Sequence, residues 1–148
     1  MSKRSVKRDE HTRINWCERR LMTSPYHFGL CLSEADFQHE LRRLKVPARE
    51  WPDFLGSSVA NATCHFLERT DGKRLAIICL GDTEGRLPVE VNGLLVHEAV
   101  HIWQRICEDI GERRPSTEFE AYSIQFLSQE LMHAYNEATK KAGKTRKR

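Results

Sequence analysis

The sequence has no hydrophobic run long enough to cross a membrane. Its longest purely apolar stretch is Leu75 to Leu80, six residues, against roughly 20 for a spanning helix. No apolar stretch follows the basic N-terminus, so no secretory signal is expected. The chain has no CxxC pair, and its five cysteines (Cys17, Cys31, Cys64, Cys79, Cys107) are odd in number and scattered. This argues against a disulfide framework and against a cysteine zinc finger. Mostly buried thiols in a reducing cytoplasm are the expectation. No internal repeat, helix-turn-helix or RNA-binding signature is visible.

What is present suits one α+β domain. The 148 residues are 39% hydrophobic and 30% charged, a usual size and balance for a single buried core. The net charge of +3 hides an uneven distribution. Residues 1–20 carry seven Lys/Arg against three acids, and residues 139–148 carry six Lys/Arg and no acid. The body between them is therefore acidic. We read residues 1–13 as a basic flexible arm, 14–138 as the folded domain and 139–148 as a basic flexible tail. Such ends either are merely solvated or touch nucleic acid or an acidic partner.

Along the chain, residues 14–31 mix aromatics and cysteines without a clean period. Ser33-Glu-Ala-Asp36 reads as a helix start with Ser33 as N-cap, and Phe37, Leu41 and Leu44 follow at helical spacing. Pro47 and Pro52 end that helix, and Trp51 and Phe54 are expected to pack inward from the loop that follows. Residues 60–68 and 74–80 read as a hairpin about Asp71-Gly72. After a turn at Gly81 to Gly85, Leu87 to Val91 reads as a short third strand. Apolar residues then recur at helical spacing from Leu94 to Ile110, which predicts a central buried helix stopped at Gly111. Pro115-Ser-Thr117 opens a last helix running to about Ala138.

The chemistry sits in His97-Glu98-Ala99-Val100-His101. Histidines four apart share one helix face, one turn apart, so their imidazoles can converge on one Zn²⁺. A glutamate beside the first histidine points past the metal and can take a proton from its bound water, which Zn²⁺ acidifies. Charged and polar groups in so apolar a helix are costly without partners, and a metal would supply them. A mononuclear catalytic site wants three protein ligands. Glu118 and Glu120 are the candidates, with sixteen and eighteen residues intervening after His101. Thr117-x-x-Glu120 also reads as a capping box, which would give Glu120 a structural task. Helical periodicity places Glu120 nearer the middle of the apolar face. Tyr122, one turn after Glu118, either orients a histidine or donates to an oxyanion, or else packs as a half-buried aromatic. Trp103 reads as core. His65 either lines a cleft from its strand or is an ordinary strand histidine.

HExxH followed by a glutamate on a later helix resembles the gluzincin branch of zinc metallopeptidases. The segment Leu94-Leu-Val-His-Glu-Ala-Val-His-Ile-Trp-Gln104 is similar to small zincin-like proteins of phages and prophages. The resemblance covers about residues 93–136. It implies a minimal zincin-like fold, with a small, mostly antiparallel sheet packed on the HExxH helix and a C-terminal helix. It also implies Zn²⁺ as cofactor, a peptide or protein substrate, and Glu98 as general base. In several such families the ligand glutamate lies three residues before a small residue. Glu118 has Ala121 there and Glu120 has Ser123, which leans toward Glu118. The eighteen-residue spacing matches one large gluzincin family and leans toward Glu120. The alternative reading is a non-catalytic zincin-like assembly or binding protein. There a structural metal would hold the fold and the basic ends would contact nucleic acid or an acidic partner.

Overall fold

A computed structural model describes residues 12–17 and 24–145, with side chains to residue 142. The N-terminal arm through residue 11 and residues 146–148 lie outside the described residues. The fold is α+β. Four strands form one mixed sheet in the order β1-β2-β4-β3. They are β1 (Asn15–Trp16), β2 (Tyr26–Cys31), β3 (Ala62–Glu68) and β4 (Arg74–Leu80). The β1–β2 and β3–β4 pairs are antiparallel, while β2 and β4 run parallel. The hairpin expected about Asp71-Gly72 forms, with Gly72 at φ +79°.

Strand β2, for which the sequence gave no clear period, lies in the middle of the sheet. Its alternation is nonetheless present: Tyr26, Phe28 and Leu30 enter one core and Cys31 the other. Gly29 interrupts the apolar pattern because β1 packs on it. A Cβ there would meet Ile14 Cγ2 at 2.7 Å and Trp16 Cε3 at 2.9 Å. Both central strands are covered on both faces, as parallel pairs require. Helix α1 (Glu34–Arg43) covers one face, burying Phe37 and Leu41 beside Ile77 and Cys79. Ser33 caps it, accepting from the Asp36 N–H at 3.2 Å. Trp51 and Phe54 pack on this same cluster.

The opposite face carries α2 (Pro88–Ile110) and α3 (Thr117–Thr145). Leu87 to Val91 is the start of α2, not a strand. Pro88 has no N–H to give a sheet, and its fixed φ suits the first helical position. Glu90 then accepts the Leu87 N–H at 2.7 Å, half of a capping box. The expected stop at Gly111 forms, at φ +72°. Helix α2 is buried on one face only: Leu95, Glu98, Ala99, Ile102, Trp103 and Ile106 are inside, while His97, His101, Gln104 and Arg105 are exposed. Of Val96, Val100, Trp103 and Cys107, which also recur at helical spacing, Trp103 alone is fully buried. Helix α3 continues past Ala138 to Thr145. The five cysteines are all free, Cys31 and Cys79 buried and the others half-buried.

Candidate functional site

The site is built where α2 packs beside β3, the outermost strand of the sheet among the described residues. Four-residue spacing stacks His97 and His101 on the same side of α2, and their rings meet edge to face. Their Nε2 atoms are 3.0 Å apart. The other nitrogen of His101, Nδ1, lies 3.2 Å from Gln104 Oε1. If Nδ1–H donates to that carbonyl, the His101 tautomer is fixed with a lone pair at Nε2, the state a metal ligand needs.

Glu98 lies on the buried side of the same turn and is 4% exposed. Burial pushes its carboxyl up from the usual range; His101, His97 and a hydrogen bond from the Cys64 backbone N–H oppose that shift. The last contact ties the motif helix to β3. Cys64 is in turn pushed up by its own burial and by Glu98. Between helix and strand lies a cavity of about 460 Å³, lined by Thr63, Cys64 and Phe66 of β3 and by His97, Glu98 and His101 of α2.

Do these residues fit a metal? Zn–N bonds are about 2.0–2.1 Å, so nitrogens 3.0 Å apart can bind one ion together. Two donors are thus in place. Among the described residues, no third His, Cys, Asp or Glu joins them in a group that could hold an ion. Glu118 and Glu120 are both exposed at the start of α3. Glu120 turns toward α2, but its Oε1 accepts the Trp103 indole N–H at 3.2 Å. It lines a neighbouring cavity of about 580 Å³ at the α2–α3 turn rather than the histidine cleft. The capping box expected at Thr117 gives way to this contact: Ser116 is the N-cap, its carbonyl accepting from the Glu120 N–H at 3.0 Å. Of the two small residues, Ser123 is buried and Ala121 is exposed. It is therefore the Glu120 face of α3 that packs on α2.

Tyr122 is 66% exposed and is not among the residues lining the cleft. Trp103 is core, as expected, with Phe119 edge-on at 5.2 Å. His65 faces the other side of the sheet, stacked on Phe37 at 4.8 Å with Nε2 3.0 Å from the Phe54 carbonyl. It is a strand histidine of the α1 core. Gln104 and Arg105, which no motif marked, line the cleft beside His101. Their spacing of three and four residues from His101 was the available signal.

No protein-family model, curated protein or solved structure matches this chain. Among the described residues, no helix is long and apolar enough to cross a membrane.

Proposed function

We propose that this protein is a zinc-dependent hydrolase of the HExxH type, acting on peptide bonds. The observation that carries this reading is the meeting of His97 and His101 Nε2 at 3.0 Å, with buried Glu98 beside them at a cleft edged by β3. When bound, Zn²⁺ would acidify water and polarise a carbonyl. His97 and His101 would hold it, and Gln104 would keep His101 in the ligating tautomer. Glu98, desolvated and raised, suits a base that takes a proton and later gives it to the leaving amine. The outer edge of β3, apart from the Cys64 N–H that Glu98 already takes, would offer backbone groups to an extended substrate. A third protein ligand would come from the start of α3, by release of Glu120 from Trp103 or by an inward turn of Glu118.

The same shortage of a third donor favours a second reading, a binding or assembly protein whose two-histidine site holds a metal without turnover. Basic ends would then contact nucleic acid or an acidic partner. Metal content of untagged protein tests the first reading directly. We expect one zinc per chain, lost in His97→Ala, lost in one of Glu118→Ala and Glu120→Ala, and kept in Glu98→Gln. Peptide cleavage should vanish in Glu98→Gln. No bound metal after zinc is supplied sinks the hydrolase reading; metal without cleavage leaves the second.

A further inference from the structure

Besides the histidine pair, the described lining of the cleft includes a permanent cation, Arg105. Arg105 follows His101 by one helical turn, roughly 6 Å along the axis, and lines the same cavity. Its guanidinium carbon lies 4.8 Å over the Phe66 ring of β3. Phe66 is itself held edge-on against buried Tyr26, centroids 5.4 Å apart. The platform under the arginine is therefore anchored in the core. Stacking occupies the face of a guanidinium and leaves its N–H edge available for a carboxylate.

The existing partner of Arg105 is weak. Glu108, which lines the same cavity, lies 3.8 Å away, beyond hydrogen-bond reach, and the two side chains are 44% and 70% exposed. Pairs of that kind contribute little. Among the described residues the guanidinium makes no hydrogen bond, although it is held over a ring at the wall of the cleft. A surface arginine that only shields an aromatic would look similar from outside, but it would not share a cavity with the histidine pair.

We propose that Arg105 makes this cleft selective for peptides that carry a carboxylate next to the bond held at His97 and His101. The placement of that bond rests on the hydrolase reading; the anion preference does not. The carboxylate has two possible sources, an acidic side chain flanking the bond or the free C-terminus of the peptide. Both present the same planar acceptor to the guanidinium edge.

The test uses full-length, zinc-supplemented Glu98→Gln protein, so that peptides are bound and not consumed. Three otherwise identical fluorescent hexapeptides are compared by anisotropy. One has an internal Glu and an amidated end, one has Gln and a free C-terminus, and one has Gln and an amidated end. We expect at least one carboxylate peptide to bind about tenfold tighter than the neutral one, the size of one charge-assisted hydrogen bond. Whichever carboxylate peptide shows the gain identifies the source. Adding Arg105→Met, which keeps the stem over Phe66, should erase the preference, and Arg105→Lys should keep part of it. Equal binding of all three, no binding of any, or an unchanged preference in Arg105→Met would overturn the proposal. Elemental analysis of the same preparations separates the two readings. Preference lost in Arg105→Met in a protein without zinc keeps the anion subsite and discards the hydrolase. Zinc without preference does the reverse.

Discussion

At the scale of single residues, the sequence marked the candidate site better than its surroundings. His97, Glu98 and His101 were legible because helical spacing alone makes two imidazoles converge and turns the glutamate away. The choice between Glu118 and Glu120 was not legible, because it depends on how α3 meets α2, and two residues along a helix point about 200° apart. The structure gives Glu120 the helix-facing position through Trp103 and buried Ser123. His65 shows the opposite case, a histidine whose role follows from strand alternation. Burial lowers its pKa below the ordinary 6.5, and the Phe54 carbonyl opposes the shift only partly. The unfolded chain therefore binds a proton at His65 more readily than the folded protein does. As pH falls through 6.5 toward the lower folded value, stability should decline; above 6.5 this contribution is flat. Urea midpoints between pH 7.5 and 5 should drop in the parent and drop less in His65→Gln. Identical slopes in the two proteins would remove His65 as the cause.

At the scale of elements, regular segments were readable where local signals agreed. Ser33 capping, the Asp71-Gly72 hairpin and the Gly111 stop each rest on a few adjacent residues, and each formed. Strand β2 and the start of α2 were missed for different reasons. In β2, Gly29 carries no side chain where the apolar pattern needs one, and its reason is a neighbour distant in sequence. At Pro88 the apolar residues Leu87, Val89 and Val91 alternate like a strand, but proline's missing donor and fixed φ decide for helix. Two glycine substitutions should separate the causes. Gly111→Ala has open space around it but a left-handed backbone, and should lose about 1–2 kcal/mol in any background. Gly29→Ala is not held at positive φ but collides with Ile14 and Trp16, and should lose about 1–3 kcal/mol. Ile14→Ala removes one of the colliding atoms, so the double variant should be more stable than additivity predicts. Additive losses for Gly29→Ala and Ile14→Ala in urea unfolding would mean that β1 yields freely and does not constrain Gly29.

At the scale of the whole molecule, charge and fold divide the chain differently. Composition marks residues 139–148 as a basic tail, yet α3 carries its helix through them as far as Thr145. Among the described residues, the last buried one of α3 is Ala134. Tyr135 still reaches the body, its hydroxyl 2.9 Å from Thr83 Oγ1. Beyond it, Thr139 bonds to the Tyr135 carbonyl and Lys140 pairs with Glu137 within the helix. Helix continues there because each residue adds one bond to an already anchored nucleus, which is easier than starting a new one. A chain ending at Ala138 should therefore keep its thermal midpoint within about 3 °C, the effect of less than 1 kcal/mol in a domain of this size. Its zinc content should be unchanged, since His97 and His101 lie on another helix. Its net charge, however, would reverse from +3 to −3. Retention on immobilised duplex DNA at low salt should fall sharply, and the steepness of its salt dependence should fall with it. A large loss of thermal stability on truncation would instead make the tail part of the fold. Unchanged DNA retention would leave the second reading without its basic C-terminus, so that the basic N-terminal arm and the cleft between α2 and β3 would have to account for what this protein does.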